Sequence, residues 1–314
     1  MKTTNKIRIF LTGGLGNQLF QLSSAVHFAN SREIEIDLVN SRPRKNSKGF
    51  AELLSLNLPS SIRLLEKKHV NLISKVLGYN LRSGYLPKSF ENNFLFRFLR
   101  NCLSSLVLFS FLHVPFFVRV SRNLGNDTKF QTSKKNEILI GYFQTEIVAK
   151  ELSYLKDSLF QGVCEDLYRE YWKLSQKEQP LLVHVRLGDY LAEQSFGILS
   201  SDYYATSITQ LWNSGLYKKI WLFSDQPKDA MIRIPEELRD KTRLVSSENL
   251  ESAETLRIMT ACKGFVIANS TFSWWAAYLR DDINSQVYAP KPWFDGMPEP
   301  EKLIPSDWHR TKGF

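Results

Sequence analysis

The chain is 314 residues long, 43% hydrophobic and 13% aromatic, and its 41 Lys and Arg against 32 Asp and Glu give a formal net charge of +9. That length exceeds one ordinary compact core and predicts two domains, and the apolar content excludes a disordered chain. The positive balance asks for an anionic partner, whether nucleotide, acidic lipid surface or nucleic acid; with no zinc finger, RNP-like aromatic pair or basic heptad helix, nucleic acid ranks last.

Cys102, Cys164 and Cys262 are odd in number and far apart, with no CxxC or His/Cys cluster. Neither a disulfide framework nor a zinc site is expected, and a reducing cytosol fits. Met1 to Ile7 lacks the apolar core of a signal peptide.

Lys6 to Thr12 reads as a strand, and Gly13-Gly14-Leu15-Gly16-Asn17-Gln18 follows at once. Leu19, Phe20, Leu22, Val26 and Ala29 then recur at helical spacing. Strand, glycine loop and helix make a phosphate-binding layout, because glycines admit an anion close to the backbone and the helix start offers N–H groups and a positive dipole end. A dinucleotide fingerprint would need a third glycine where Leu19 stands, although Glu35 and Asp37 lie where a ribose-binding acid is expected. A tight turn that binds nothing is the bland alternative. Glu33 to Leu38 alternates as a second strand, and Ser41 to Gly49 reads as a solvated basic loop, with contact to an acceptor or an anionic surface the lesser reading.

From Asn57 to Asn136 only helical segments are indicated. Within it, Asn101 to Val118 carries no formal charge and is flanked by arginines, but Ser104, Ser105, Ser110, His113 and Pro115 interrupt it. A buried or membrane-surface helical region is preferred there to a spanning helix. Glu137 to Phe143 returns to strand and ends in Tyr142, Phe143 and Gln144, where rings and an amide suit a sugar acceptor or equally a core edge. Helical spacing from Val148 to Gln176 leads to Gln179-Pro180, a domain-boundary signal.

Leu181, Leu182 and Val183 begin a buried strand that delivers His184, Arg186 and Asp189 at its exit. His184 and Arg186, two apart, share a face, and Gly188 is expected to let Asp189 fold back towards them. A plain Arg–Asp ion pair is the competing reading. Ser200 to Tyr217 is a helix, Ile220 to Phe223 a strand ending in Ser224-Asp225, Thr242 to Val245 a short strand, and Ser252 to Cys262 a helix. Gly264 to Ala268 is a strand opening into Asn269, Ser270, Thr271 and Phe272, with helical pattern from Trp274 to Leu279. Hydroxyl residues there supply both capping and a second anion-binding helix start. The alternation predicts an α/β protein of two doubly wound parallel sheets facing a cleft.

Four stretches, Gly13 to Gln21 (GGLGNQLFQ), Gly141 to Glu146 (GYFQTE), His184 to Tyr190 (HVRLGDY) and Ala268 to Leu279 (ANSTFSWWAAYL), resemble the bacterial α-1,2-fucosyltransferases. The resemblance implies two Rossmann-like domains facing a cleft (GT-B type), here 1–155 on the acceptor side and 156–314 binding GDP-β-L-fucose. It also implies inverting, metal-independent transfer of L-fucose to the 2-hydroxyl of a terminal galactose. The family's HxRRxD pattern is carried by His184, Arg186 and Asp189, with Leu187 where the second arginine would stand. Members tend to have Asp at the position of Thr255 and His at that of Gly264.

On that footing Arg186 is expected to stabilise charge growing on the departing diphosphate, aided by N–H groups around Gly14, Gly16, Asn17 and Gln18 and around Ser270 to Phe272. Asp225 and Glu254 are expected at guanine or ribose, Asn269 beside the donor, and Phe272 packed on the nucleotide. Asp189 and Glu193 are the nearest carboxylates for the acceptor proton; Asp189 has the alternative of holding Arg186 or His184, and late transfer to water is a third route. Rival readings are a related glycosyltransferase with another nucleotide sugar or linkage, an NAD-type oxidoreductase built on Glu35 or Asp37, and a silent sugar-binding protein. The acceptor is expected to be a galactose-terminated glycan or lipid-linked intermediate of surface polysaccharide, met in the cytoplasm with peripheral contact at the inner membrane, without cofactor, metal or nucleic acid.

Overall fold

The computed structural model describes residues 6–11, 13–29, 35–40, 52–60, 62–64, 117–121, 123–128, 137–188, 190, 195–245 and 250–314. The chain divides into two compact units, Met1–Ala51 with Leu58–Glu151 and Glu52–Asn57 with Leu152–Phe314. Each is built on an all-parallel sheet.

The first unit holds β1 (Lys6–Leu11), α1 (Leu15–Ala29), β2 (Glu35–Asn40), β3 (Ile62–Leu64), β4 (Phe117–Val120) and β5 (Glu137–Ile140), in sheet order β3-β2-β1-β5-β4. α2 (Glu146–Ser153) follows. Leu15, Leu19 and Leu22 of α1 are buried at the spacing that turns one helix face to a sheet. The uncharged run Asn101 to Val118 lies outside the described residues except for its last two. Those open β4, so the expected helix does not reach the end of the run. Among the described residues no helix is long and apolar enough to cross a membrane.

The second unit runs α3 (Lys156–Phe160), α4 (Glu165–Glu178), β6 (Pro180–Val185), α5 (Ser201–Trp212), β7 (Lys219–Ser224), α6 (Pro227–Met231), β8 (Thr242–Leu244), α7 (Ser252–Thr260), β9 (Gly264–Val266), α8 (Thr271–Tyr278), β10 (Gln286–Lys291) and β11 (His309–Lys312). Its sheet order is β11-β10-β9-β6-β7-β8. Counted from β6 as the first strand, this is the 3-2-1-4-5-6 order of the doubly wound nucleotide-binding fold. All six residues of β6 are buried, and Leu181, Val183 and Val185 pack with Ile208, Leu211 and Leu222 in one core. Gln179-Pro180 is not a domain boundary. Gln179 is the left-handed cap that ends α4 at φ 44° and turns the chain straight into β6.

Gly264 stands at the amino end of β9, paired with Leu181 and Gln286. A Cβ there would lie 2.5 Å from the Tyr217 ring, and Tyr217 is itself buried. The space that a family histidine would need is therefore filled by tyrosine, at the sheet edge opposite the strand exits. Gly264→Ala is expected to cost about 1–3 kcal/mol by overpacking, and much less once Tyr217→Leu has made room. Urea unfolding of the two single variants and the pair tests this; equal cost in both backgrounds would contradict it.

Candidate functional site at the strand exits

Open parallel sheets bind ligands beyond the carboxyl ends of neighbouring strands whose chains leave in opposite directions. In the second unit that place lies between β6, which passes on to β7, and β9, which passes on to β10. The segments His184 to Gly188 and Ala268 to Phe272 meet there.

His184 is 5% exposed, and its ring centroid lies 6.2 Å from that of Phe272. Its Nδ1 is buried without a hydrogen-bond partner among the described residues, while Tyr204 Oη donates to its carbonyl at 3.3 Å. Burial first, and the Arg186 cation second, push the imidazole pKa down to about 3. A ring that refuses its proton so strongly is too weak a base to take one from a sugar hydroxyl. His184 is a buried neutral group two residues before Arg186, whose side chain keeps 34% of its surface exposed.

Asp225 follows β7 and does not stand free to meet a base or ribose. Its Oδ1 accepts the Leu187 N–H at 3.1 Å and its Oδ2 the Gly188 N–H at 3.0 Å. Arg186 Nε lies 3.4 Å from Oδ2. Asp189 and Glu193 lie outside the described residues; Asp225 is a partner of Arg186 among the described ones. Asn269, 1% exposed, likewise acts on the protein: its Nδ2 donates to the carbonyls of Phe196 and Gly197 at 2.9 and 3.2 Å. Its own carbonyl accepts the Tyr190 hydroxyl at 2.9 Å. Tyr190 was not singled out from sequence, because a lone tyrosine beside a charged motif looks the same whether it ties a loop or faces solvent.

Ser270 caps α8, its hydroxyl accepting the Phe272 N–H at 3.4 Å. Thr271 and Phe272 are half-buried, whereas Trp274 and Trp275 are fully buried. Trp274 donates its indole N–H to the Leu303 carbonyl at 3.0 Å. Glu254 is not part of this group. It completes a capping box on α7, accepting the Glu251 N–H at 2.8 Å. Its charge, after burial, helps push the Cys164 thiol up to about 11.

In the first unit β1 and β5 are neighbouring strands, and the other two motifs, which follow them in the chain, meet at their carboxyl ends. Gln144 Nε2 donates to Asn17 Oδ1 at 3.0 Å, Gln18 Nε2 to the Gly13 carbonyl at 2.9 Å, and Gln21 Nε2 to the Gly141 carbonyl at 3.0 Å. Gln18 is 1% exposed, so its amide braces the loop instead of offering itself to a donor. Gly14 is exposed and Gly16 buried. Phe143, expected to stack on an acceptor, is 3% exposed with its ring edge-on to Phe28, and Gln144 is buried beside it. Of the three expected acceptor residues only Tyr142 is half-exposed.

A groove of about 410 Å³ lined by Glu165, Tyr168, Arg169, Trp172, Arg257 and Asp281 includes none of these residues. Its polar groups serve each other: Asp281 pairs with Lys156 and accepts from Tyr168, and Arg257 donates to the Val163 carbonyl and lies over the Tyr168 ring. Among the described residues, no three His, Cys, Asp or Glu side chains are grouped as a metal site would need.

The profile of glycosyl transferase family 11 matches residues 116–303. The O-antigen biosynthesis glycosyltransferase WbnK of Escherichia coli is 28% identical over 95% of this chain and 98% of its own length. An α-1,2-colitosyltransferase of the same organism is 25% identical over 94% and 96%. The fucosyltransferase NodZ from Bradyrhizobium, a solved structure, aligns over 89% of this chain and 94% of its own at 12% identity, with a TM-score of 0.47.

Between the unfolded value of 6.5 and about 3, the unfolded chain holds a proton on His184 that the folded chain does not. Stability contributed by neutral His184 is therefore complete above that window and falls on acidification, by up to about 1.4 kcal/mol per pH unit. Unfolding free energies of wild type and His184→Asn at about pH 7.5 and about pH 5 check the sign. The wild type should lose more than the variant, and parallel losses would contradict the buried neutral ring.

Proposed function

The chain belongs to glycosyl transferase family 11, and from that premise we propose that it transfers L-fucose from GDP-β-L-fucose, with inversion and without a metal, to the 2-hydroxyl of a terminal galactoside. The observation that carries the reading is that Arg186 and the capped start of α8 follow two neighbouring strands, β6 and β9, at whose exits the chain reverses direction across the sheet. The bond between fucose C1 and the β-phosphate oxygen breaks as the acceptor oxygen bonds to C1 from the opposite face. The leaving electron pair stays on GDP, and the acceptor's proton passes to a carboxylate, with Asp189 the nearest in sequence, or to water.

The growing negative charge is the main cost of the step. The Arg186 fork meets it with paired donors, and the N–H groups and dipole end of α8 add to that field. Neutral His184 puts no second charge against the Arg186 cation and packs against Phe272. The second unit then serves the donor, and the acceptor side falls to the first unit, where Tyr142 keeps a half-exposed ring.

Surface glycan precursors are the proposed acceptors, supported by the relative named for O-antigen biosynthesis. A cytoplasmic enzyme in peripheral contact with the inner membrane would meet such precursors, and the net charge of +9 favours an anionic leaflet. The colitosyltransferase relative favours a second reading in which the donor sugar is colitose. Family membership removes the NAD-type oxidoreductase, and Leu19, where a third glycine would stand, is buried in α1.

Labelled GDP-fucose with a galactose-terminated acceptor such as lactose, run with and without EDTA, tests the proposal. An α-1,2-linked product in both arms is expected. GDP binding without fucose transfer would turn the reading towards the colitosyl donor, and no GDP binding would overturn it. Arg186→Ala should lose transfer by on the order of 100- to 1000-fold while unfolding as the wild type does.

A further inference from the structure

The ladder between β6 and β7 ends at the pair Val185 and Ser224. The next backbone N–H groups that need a partner, on Leu187 and Gly188, are both taken by Asp225, one on each carboxylate oxygen, at 3.1 and 3.0 Å. The Oδ2 that accepts from Gly188 also lies 3.4 Å from Arg186 Nε. A Cβ on residue 188 would stand 2.6 Å from that oxygen. Glycine at 188 is thus what admits the carboxylate, a different service from freeing a turn towards Asp189.

We propose that Asp225 is a positioning residue for transfer: it holds the backbone at 187–188 and the Nε edge of Arg186, so that the guanidinium is preset for the donor diphosphate, and Gly188 is its obligatory counterpart. This rests on the reading that Arg186 binds that diphosphate. The chemistry requires a carboxylate. An asparagine amide has one oxygen for two N–H groups, and its NH₂ would face the other backbone donor. A side chain that read guanine or ribose would instead direct its acceptors at the nucleoside.

The test compares GDP and GMP affinities by calorimetry for wild type, Asp225→Asn, Gly188→Ala, Arg186→Ala and the pair Arg186→Ala with Asp225→Asn. Unfolding curves verify that each variant folds. Wild type should prefer GDP, and each single variant should lose GDP affinity by roughly tenfold or more while GMP binding holds. Asp225→Asn should add nothing once Arg186 is alanine, since a residue that acts only through Arg186 has nothing left to position. Gly188→Ala, which removes no polar group, should reproduce Asp225→Asn, with kcat falling by on the order of 100-fold. Parallel loss of GMP affinity, or full additivity with Arg186→Ala, would show direct nucleoside contact and overturn the positioning role alone. A wild type with no preference for GDP, or an Arg186→Ala variant that binds GDP as tightly, would overturn the diphosphate reading and the positioning role with it.

Discussion

Two neighbouring parallel strands, β6 and β9, send their chains away in opposite directions, and neither connection can roof the other. The carboxyl ends between them must stay open, with backbone groups that have passed beyond the ladder and need partners. That requirement organises the second unit. Asp225 answers it on the β6 side and Asn269 pins the carbonyls of Phe196 and Gly197. Ser270 caps the helix on the β9 side. The polar residues at this edge therefore work first for the fold, and Asp225 among them lies against Arg186.

Electrostatics follows from the same burial. His184 sits on β6, sealed from water, and cannot hold a proton beside Arg186. The exit consequently presents a cation, braced by the Asp225 carboxylate, next to an uncharged ring and a positive helix end. In the first unit the carboxyl ends of the neighbouring strands β1 and β5 are filled differently. Amides of Asn17, Gln18, Gln21 and Gln144 lock the glycine loop to the β5 exit, so what that loop can offer an anion is backbone.

Much of this was legible as pattern. The apolar run of β6, the spacing of α1 and the strand-exit motifs located both sets of strand exits, because a buried strand and an amphipathic helix impose periods that residues must obey. The polar roles were less legible. Asp225 and Glu254 both read as ligand carboxylates, yet one closes a strand exit and the other a helix start. A residue bonded to backbone 37 positions away leaves no local signature. Phe143 read as a stacking ring because sequence does not say which way a ring turns after a strand. The C-terminal strand His309–Lys312, polar along its length, offered no apolar alternation and was not expected, and Gln286–Lys291 was hidden by Pro290.

The most direct measurement is a crystal structure with GDP bound. The account predicts the diphosphate between the Arg186 guanidinium and the Ser270–Phe272 turn, with Asp225 still on the Leu187 and Gly188 amides and away from the nucleoside. A nucleotide seated at the β1 and β5 exits alone, or along α4 among Tyr168, Trp172 and Arg257, would contradict it.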